Sequence, residues 1–145
     1  MCGLFSILSR GNPIELKMLL AGALELEHRG PDEGDVWLSP NRTIGIAHKR
    51  LSIVDLFTGK QPLTNEDNSI TAAVNGEFYG FEAIRRNLKQ HGHEFSTHSD
   101  SEILVHLYEQ YGVDCVTHLR GEYAFVLWDS NRDRLFAARD RFGIK

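Results

Sequence analysis

Short apolar runs and longer amphipathic repeats follow one another along this chain, which predicts a mixture of strands and helices. The compact run Gly3–Leu8 is typical of a buried strand. Leu56–Asn68 has no sustained period and predicts a loop. Further β-rich segments, bounded by Pro, Asn and Gly, are Val36–Ser39, Thr43–Lys49, Ser52–Val54, Ile70–Val74, Tyr123–Trp128 and Arg134–Arg139.

The first predicted helix begins near Asn12, which is the expected N-cap, with Pro13 in the first turn. Apolar residues then recur at three- and four-residue steps, which predicts one buried face. The members of that face are Leu16, Leu19, Leu20, Ala23 and Leu24. The segment His28–Asp32, which contains a glycine and a proline, ends the helix.

Two more helices are predicted in the second half of the chain. One covers Phe81–His91. The other, Ile103–Tyr111, follows a capping box at Ser99–Glu102 and stops at Gly112. Because strands and helices do not alternate regularly, the expected fold class is a layered α+β fold rather than a doubly wound parallel sheet.

Composition places the chain among ordinary globular domains. Of its 145 residues, 41% are apolar and 25% are charged, and the formal net charge is −4. The length suits one domain. Mild acidity without a Lys/Arg run argues against nucleic acid as a partner, and no apolar run is long enough to span a membrane. Two cysteines and no secretory signal predict a cytoplasmic location.

Cys2 is the most informative candidate for chemistry. The initiator methionine is normally removed before a small residue, which would leave a mature chain that begins with cysteine. Such a residue carries a nucleophilic thiol beside an α-amine, whose ordinary pKa of about 7.7–8.0 lets it accept the thiol proton. The alternative is an accidental cysteine on a frayed terminus, although the strand at Gly3–Leu8 would hold that terminus in place.

Three further positions suit substrate binding or activation, and each also has a purely structural explanation. Asn75 with the Gly76 N–H suits an oxyanion site, whereas Asn-Gly is also a strong hairpin signal. Arg50 suits a carboxylate but is equally typical of a solvated surface. Asp100, near a helix N-terminus, would bind an ammonium group or simply stabilise the helix. On the residues alone, the structural explanation is the commoner one at all three positions.

No metal centre is predicted. His91, His93 and His98 lie close together in the sequence, but their spacing matches no standard zinc motif and no cysteine is near. Cys115 lies among aliphatic residues, which predicts a buried structural thiol.

Eight segments form a pattern that runs through the whole chain. They are Met1–Gly3, His28–Asp32, His48–Asp55, Gly59–Leu63, Val74–Tyr79, Ser99–Glu102, Gly121–Phe125 and Arg139–Lys145. Together and in this order they resemble the class II glutamine amidotransferases, the N-terminal-nucleophile type. The string Arg-Leu-Ser-Ile-Val-Asp at 50–55 resembles the asparagine synthetase branch rather than the sugar-phosphate or purine-pathway amidotransferases.

This resemblance implies a four-layer αββα sandwich and one glutamine pocket. Cys2 would be the nucleophile and its own α-amine the base, while Asn75 and the Gly76 N–H would form the oxyanion hole. The residues implied to bind glutamine are Arg50 for the α-carboxylate, Asp100 and Glu77 for the α-ammonium group, and Leu51, Ile53 and Val54 for wall or backbone contacts.

The resemblance also implies a longer protein. The amidotransferase domain would occupy residues 1–145, continue past Lys145, and be followed by an ATP-dependent synthetase domain that amidates aspartate or a related carboxylate. ATP and Mg²⁺ would bind in that synthetase domain, with no cofactor or metal within residues 1–145. The expected partners are glutamine, the synthetase domain in cis and a second copy in a homodimer, without nucleic acid or membrane.

Two alternatives differ in what the domain does. One is a catalytically silent scaffold, and the other is an amidotransferase that serves an acceptor other than aspartate. Cys2 favours the enzyme, since a silent scaffold has no need of a cysteine there. Gly80 departs from the pattern, because relatives often have Asn at this position.

Overall fold

Two antiparallel sheets form the centre of the protein, seen in a computed structural model that describes residues 2–51 and 59–145. The first sheet contains β1 (Gly3–Leu8), β2 (Glu33–Leu38) and β3 (Ile44–Arg50), in the order β1-β3-β2. Leu4 of β1 pairs with His48 of β3. The start of the chain is therefore fixed as a sheet edge against the last residues of β3.

The second sheet has four strands in sequence order. They are β4 (Leu63–Thr64), β5 (Ile70–Phe78), β6 (Gly121–Asp129) and β7 (Arg134–Arg139). The pairing of β5 with β6 covers both strands from end to end, with Ile70 opposite Asp129 and Phe78 opposite Gly121.

Helices cover the outer face of each sheet. Helix α1 (Leu16–Leu24) packs on the first sheet, and α2 (Phe81–Gln90) and α3 (Ile103–Tyr111) cover the second. A 3₁₀ turn, Asp100–Glu102, precedes α3, and a second, Gly112–Thr117, follows it. The layers run helix, sheet, sheet, helices, which confirms the predicted αββα sandwich. Within the described ranges, no helix has both the length and the apolar character needed to cross a membrane.

Alternation along the strands decides which side chains face the space between the two sheets. The buried apolar residues of that space are Ile44, Ile46, Ala73, Val126 and Trp128. By the two-residue period, His48 and Arg50 continue the inward row of β3, and Asn75 continues the inward row of β5. The polar residues of the site therefore lie at one end of the layer between the sheets, next to its apolar residues.

The predicted start of the first helix is wrong. Helix α1 begins at Leu16, and its N-cap position is Glu15, which makes no side-chain cap. Residues before it form a turn instead, since the Ser9 hydroxyl donates to the Asn12 carbonyl at 2.6 Å. The N–H of Ile14 then donates to Arg42 O at 2.8 Å, which ties this segment to the β2–β3 connection rather than to the helix.

The predicted buried face of this helix is also too wide. Leu19 and Ala23 are buried, but Leu16, Leu20 and Leu24 are 44%, 51% and 67% exposed. Neighbouring positions on a helix differ by about 100° around its axis, so only one row of side chains faces the three-stranded sheet.

Several strand boundaries differ from their predictions, and the differences come from pairing with other strands. β5 was predicted to end at Val74 but continues to Phe78 because β6 pairs with it throughout. The predicted loop before β5 contains the two-residue strand β4. The strand predicted at Ser52–Val54 lies outside the described residues.

The predicted start of helix α3 is half right. The bounds Ile103–Tyr111 and the end at Gly112 are confirmed, and the Ser99 hydroxyl accepts the N–H of Ser101 at 3.2 Å. Glu102, however, does not return to the N-cap. Its carboxylate accepts the N–H groups of Ser96 and Thr97, at 2.7 and 2.8 Å, and so fastens the preceding loop.

Candidate active site

A cleft opens where β1 begins and β3 ends, and it gathers residues that are far apart in sequence. Seven of the nine predicted site residues line it: Cys2, Arg50, Leu51, Asn75, Gly76, Glu77 and Asp100. Ile53 and Val54, the remaining two, lie outside the described residues. The further lining residues are Gly59, Gln61, Val74, Ser99, Ser101, Glu122 and Lys145.

Cys2 is held at the chain terminus by its neighbours. Its Sγ accepts the N–H of Leu51 at 3.4 Å and lies 3.8 Å from the Leu51 carbonyl oxygen. The Arg29 Nε donates to the Cys2 carbonyl at 3.1 Å. Cys2 is half-buried and forms no disulfide. These contacts argue against a frayed terminus, and they give Leu51 a backbone contact with the thiol.

Asn75 and Gly76 lie inside β5, so the hairpin interpretation of Asn-Gly is wrong. Gly76 is paired with Tyr123 of β6 and has φ of 149°. A Cβ on Gly76 would lie 2.0 Å from the Glu122 carbonyl oxygen, so only glycine fits between these strands. The close approach of β6 therefore requires the glycine whose backbone N–H was proposed for the oxyanion hole.

Two buried side chains fix the peptide just before Asn75. The amide of Gln61 makes two hydrogen bonds with Val74, accepting its N–H at 2.6 Å and donating to its carbonyl at 3.2 Å. His48 Nε2 lies 3.0 Å from the same carbonyl oxygen. Burial lowers the pKa of His48 to about 4, and the nearby Arg50 charge also lowers it. A neutral His48 therefore donates to Val74 and joins the two sheets.

Arg50 is buried, with its guanidinium facing both the cleft and a surface carboxylate. The Nη1 atom lies 3.1 Å from Glu33 Oε2, and Arg50 is 5% exposed. A guanidinium carries five N–H donors in a planar fork, a geometry that suits a carboxylate.

Asp100 is more than a helix-terminus residue. Its Oδ2 accepts the N–H of Phe78 at 2.7 Å, which joins the 3₁₀ turn to the end of β5. Burial raises the pKa of the Asp100 carboxyl, although this hydrogen bond opposes the rise. The structure thus places a buried carboxylate in the cleft and anchors it to the strand that carries Asn75. Glu77 is exposed at the edge of the same cleft.

The end of the chain is folded onto the cleft by Asp140. Its two carboxylate oxygens accept the N–H groups of Phe142, Ile144 and Lys145 at 3.0–3.1 Å. These hydrogen bonds lower the pKa of Asp140 to about 2, and the one from the Ile144 N–H has the largest effect. Lys145 lines the cleft and pairs with Glu122 at 3.4 Å.

Sequence reasoning gave no role to Gln61, His48 or Asp140. All three lie in segments that carry the resemblance, but their partners are backbone atoms of other segments. A pattern of residue types does not reveal such partners. The one available signal was the two-residue period of β3, which places His48 on the same face as the buried residues Ile44 and Ile46.

Comparison with known families agrees with this geometry. The sequence model of a family described as a glutamine amidotransferase domain matches residues 1–145, which is the whole chain. The chain belongs to the glutamine amidotransferase family. This result confirms the family-level prediction made from the eight segments.

Named relatives of this glutamine amidotransferase domain fall into two groups. Asparagine synthetase [glutamine-hydrolyzing] 2 of Bacillus subtilis is 40% identical, over 100% of this chain and 19% of its own length. Asparagine synthetase [glutamine-hydrolyzing] 1 of Arabidopsis thaliana is 40% identical, over 99% of this chain and 24% of its own length. The amidase chry2 of Gibberella zeae is 50% identical, over 83% of this chain and 18% of its own length. The chain therefore spans about a fifth to a quarter of the length of these relatives.

A solved structure shares the fold of this amidotransferase domain. The glutamine phosphoribosylpyrophosphate amidotransferase from B. subtilis superposes with a TM-score of 0.74, over 98% of this chain and 38% of that chain, at 20% identity. That likeness shows that the two chains share a fold, in agreement with the predicted αββα sandwich.

Proposed function

We propose that this domain hydrolyses glutamine to glutamate and ammonia. The observation that carries the proposal is that Cys2, Arg50, Asn75 and Asp100 line one cleft, although they come from four different segments. A thiol, an amide donor, a guanidinium and a carboxylate together match the reacting group and both α-substituents of glutamine. The cleft encloses about 210 Å³, below the roughly 300–1,000 Å³ of pockets for drug-sized ligands, which suits one amino acid.

Nucleophilic attack by Cys2 begins the proposed reaction. After removal of Met1, the α-amine of Cys2 takes the thiol proton, and the thiolate attacks the carboxamide carbon. The carbonyl oxygen becomes an oxyanion, which the Asn75 amide and the Gly76 N–H stabilise. The carbon–nitrogen bond then breaks, ammonia leaves with the transferred proton, and a thioester remains. Water hydrolyses the thioester, which releases glutamate and restores the thiol.

Charged residues hold the unreactive end of glutamine. Arg50 binds the α-carboxylate and Asp100 binds the α-ammonium group, assisted by Glu77 at the edge of the cleft. Leu51 contributes backbone groups, and for Ile53 and Val54, which lie outside the described residues, wall contacts are what the family resemblance implies. Fixing both α-substituents places the carboxamide against Cys2 before the reaction starts.

In the whole protein, the ammonia would serve an ATP-dependent amidation. Relatives four to five times longer than this chain support a synthetase domain in cis, beyond Lys145, that binds ATP and Mg²⁺. The similarity to asparagine synthetases supports aspartate as the acceptor. We further propose a cytoplasmic protein that assembles as a homodimer.

The acceptor has a second candidate. A relative named an amidase is more similar to this chain than the two asparagine synthetases are, at 50% against 40% identity. An acceptor carboxylate other than aspartate is therefore a specific alternative, decided by the synthetase domain rather than by this cleft. The silent-scaffold alternative has no support from the cleft, which retains Cys2 with Arg50, Asn75 and Asp100.

Replacing Cys2 by Ser tests the proposed hydrolysis. Because a hydroxyl ionises far less readily than a thiol, Cys2→Ser should abolish the release of glutamate from glutamine. Cys115→Ala is the matched control, since burial raises the pKa of the Cys115 thiol to about 12 and that thiol lies outside the cleft. Normal glutamate release by Cys2→Ser would refute the assignment of Cys2 as the nucleophile. If the parent protein itself releases no glutamate, the domain is a silent scaffold.

A further inference from the structure

A cluster of two histidines and two glutamates lies beside helix α3, and none of its members lines the cleft. Glu66 follows β4, His93 follows α2, and His106 and Glu109 lie one turn apart on α3. One ligand atom from each of the four residues lies within 4.8 Å of all the others. Three segments that are remote in sequence therefore place imidazole nitrogens and carboxylate oxygens around one point.

The side chains of the cluster lie at ion-pair distances, without hydrogen bonds among them, and these distances are close to those of a coordination shell. His93 Nδ1 lies 3.4 Å from Glu109 Oε2 and 3.9 Å from Glu66 Oε1. His106 Nδ1 lies 3.6 Å from Glu66 Oε2 and 4.0 Å from Glu109 Oε2. Ligands about 2.0–2.2 Å from a tetrahedral zinc ion are about 3.3–3.5 Å from one another, so small side-chain shifts would close this shell.

His106 provides a second, independent observation. Its side chain is 1% exposed, and neither ring nitrogen has a hydrogen-bond partner. Its Nε2 lies 3.8 Å from Glu102 Oε1, a carboxylate oxygen already occupied by Ser96. A buried polar group without a hydrogen-bond partner carries an uncompensated desolvation cost. A cation bound at Nδ1, which faces Glu66 and Glu109, would remove part of that cost.

Neighbouring groups already orient the other ligands. His93 Nε2 lies 3.2 Å from Gln110 Oε1, while its Nδ1 faces Glu66 and Glu109. Glu66 Oε1 accepts the N–H of Glu94 at 2.7 Å. Hydrogen bonds of this kind to the outer side of a ligand are characteristic of protein metal sites.

We propose that Glu66, His93, His106 and Glu109 bind one divalent transition-metal ion, with Zn²⁺ as the best match. Two imidazole nitrogens disfavour Ca²⁺ and Mg²⁺, which prefer oxygen ligands. Four protein ligands around the ion make the site structural, and the ion would join the turn after β4, the α2–α3 connection and α3. An open depression that contains Glu66, His93 and Glu109 gives the ion access.

This proposal revises the sequence-based expectation of no metal. His91 and His98 were considered with His93 because they are close in sequence, yet neither belongs to the cluster. His91 Nδ1 instead lies 2.9 Å from Asn87 O. The true neighbours of His93 come from other segments, which a spacing rule does not detect.

Zinc titration of the protein without a polyhistidine tag tests the proposal. Cys2→Ser is used as the background, because a terminal cysteine with its amine can itself bind zinc. After treatment with a chelator, calorimetry with ZnCl₂ should show one ion per chain and a rise in thermal midpoint. Co²⁺ should give the visible absorption of a tetrahedral site. A protein that binds no Zn²⁺ at 100 equivalents would overturn the proposal.

Variants at the surface of the cluster locate the ion. His93→Gln and Glu109→Gln should each weaken zinc binding by at least roughly tenfold, since both remove a direct ligand. His91→Gln is the matched control and should bind zinc as the Cys2→Ser background does. These side chains are less buried than His106, so the variants avoid its core position. Unchanged affinity in both ligand variants, or equal loss in the control, would place the ion elsewhere and refute the site.

Discussion

The cleft and the histidine–glutamate cluster differ in what holds their polar groups. In the cleft, Cys2, Gln61 and Asp100 are each fixed to a backbone atom of another segment, and His48 supports the cleft from behind through the Val74 carbonyl. In the cluster, side chains face one another at 3.4–4.0 Å without hydrogen bonds among them. The cleft therefore has its geometry before a substrate arrives, whereas the cluster requires an ion to complete it.

Two buried histidines show the same difference. His48 is 1% exposed, and its Nε2 has the Val74 carbonyl as partner. His106 is 0% exposed and has no hydrogen-bond partner at either ring nitrogen. Burial alone thus says little about function. The unsatisfied ring nitrogen, together with carboxylates at suitable distances, is what identifies a site for a ligand.

After Cys2→Ser, the largest effect on the cleft is expected from Asn75→Ala. The oxyanion exists only along the reaction path, so kcat for glutamine hydrolysis should fall roughly 100- to 1,000-fold while KM changes little. Steady-state measurement of glutamate release gives both constants. Asn87→Ala, an exposed asparagine on α2, is the matched control. If KM rises and kcat is unchanged, Asn75 binds the substrate rather than the oxyanion.

His48 gives the folded protein a pH-dependent stability. Its pKa is about 4 in the folded protein against an ordinary 6.5, so the neutral form is favoured by folding. The associated stability is present above pH 6.5 and is lost as pH falls towards 4, for a total of about 3 kcal/mol. Urea unfolding of the parent between pH 7 and 4 should show this loss.

His48→Gln should lack that part of the pH dependence, although it is less stable at neutral pH. His91→Gln, which changes an exposed histidine, should follow the parent curve. If His48→Gln loses stability with falling pH as steeply as the parent does, His48 does not carry the effect.

Asp100→Asn should affect binding rather than folding. The amide oxygen still accepts the Phe78 N–H, but the charge for the α-ammonium group is gone, so KM should rise roughly 10- to 100-fold. Because burial raises the pKa of Asp100, the parent should lose glutamine affinity on acidification, and the variant should not. Asp114→Asn, on the exposed 3₁₀ segment, is the control. An early-melting variant with normal KM would leave Asp100 only a structural role.

The sequence predicted best where a local signal and the tertiary contacts agree. Helix α3 has its predicted bounds because Ser99 caps the preceding turn and Gly112 ends the helix. The start of α1 failed because the Ser9–Asn12 turn replaced the expected cap. The Asn-Gly hairpin signal failed because β6 pairs with β5 beyond Asn75.

The candidate site could be predicted only as far as the resemblance reached. Spacing alone left Arg50, Asn75 and Asp100 with structural explanations, and their convergence on one cleft is a property of the folded sheets. The supports of that cleft were missed because Gln61 and His48 meet at the Val74 peptide, which no sequence pattern marks. The cluster was missed because His106 and Glu66 come from different segments.

The central claim is that Cys2 acts with its own α-amine as the base, and the state of the terminus tests it directly. Preparations with different fractions of retained Met1, measured by intact mass, should hydrolyse glutamine in proportion to the fraction that begins with Cys2. A retained Met1 turns the base into an amide, which cannot take the thiol proton. If protein that keeps Met1 hydrolyses glutamine at the normal rate, the account of the catalytic terminus is wrong.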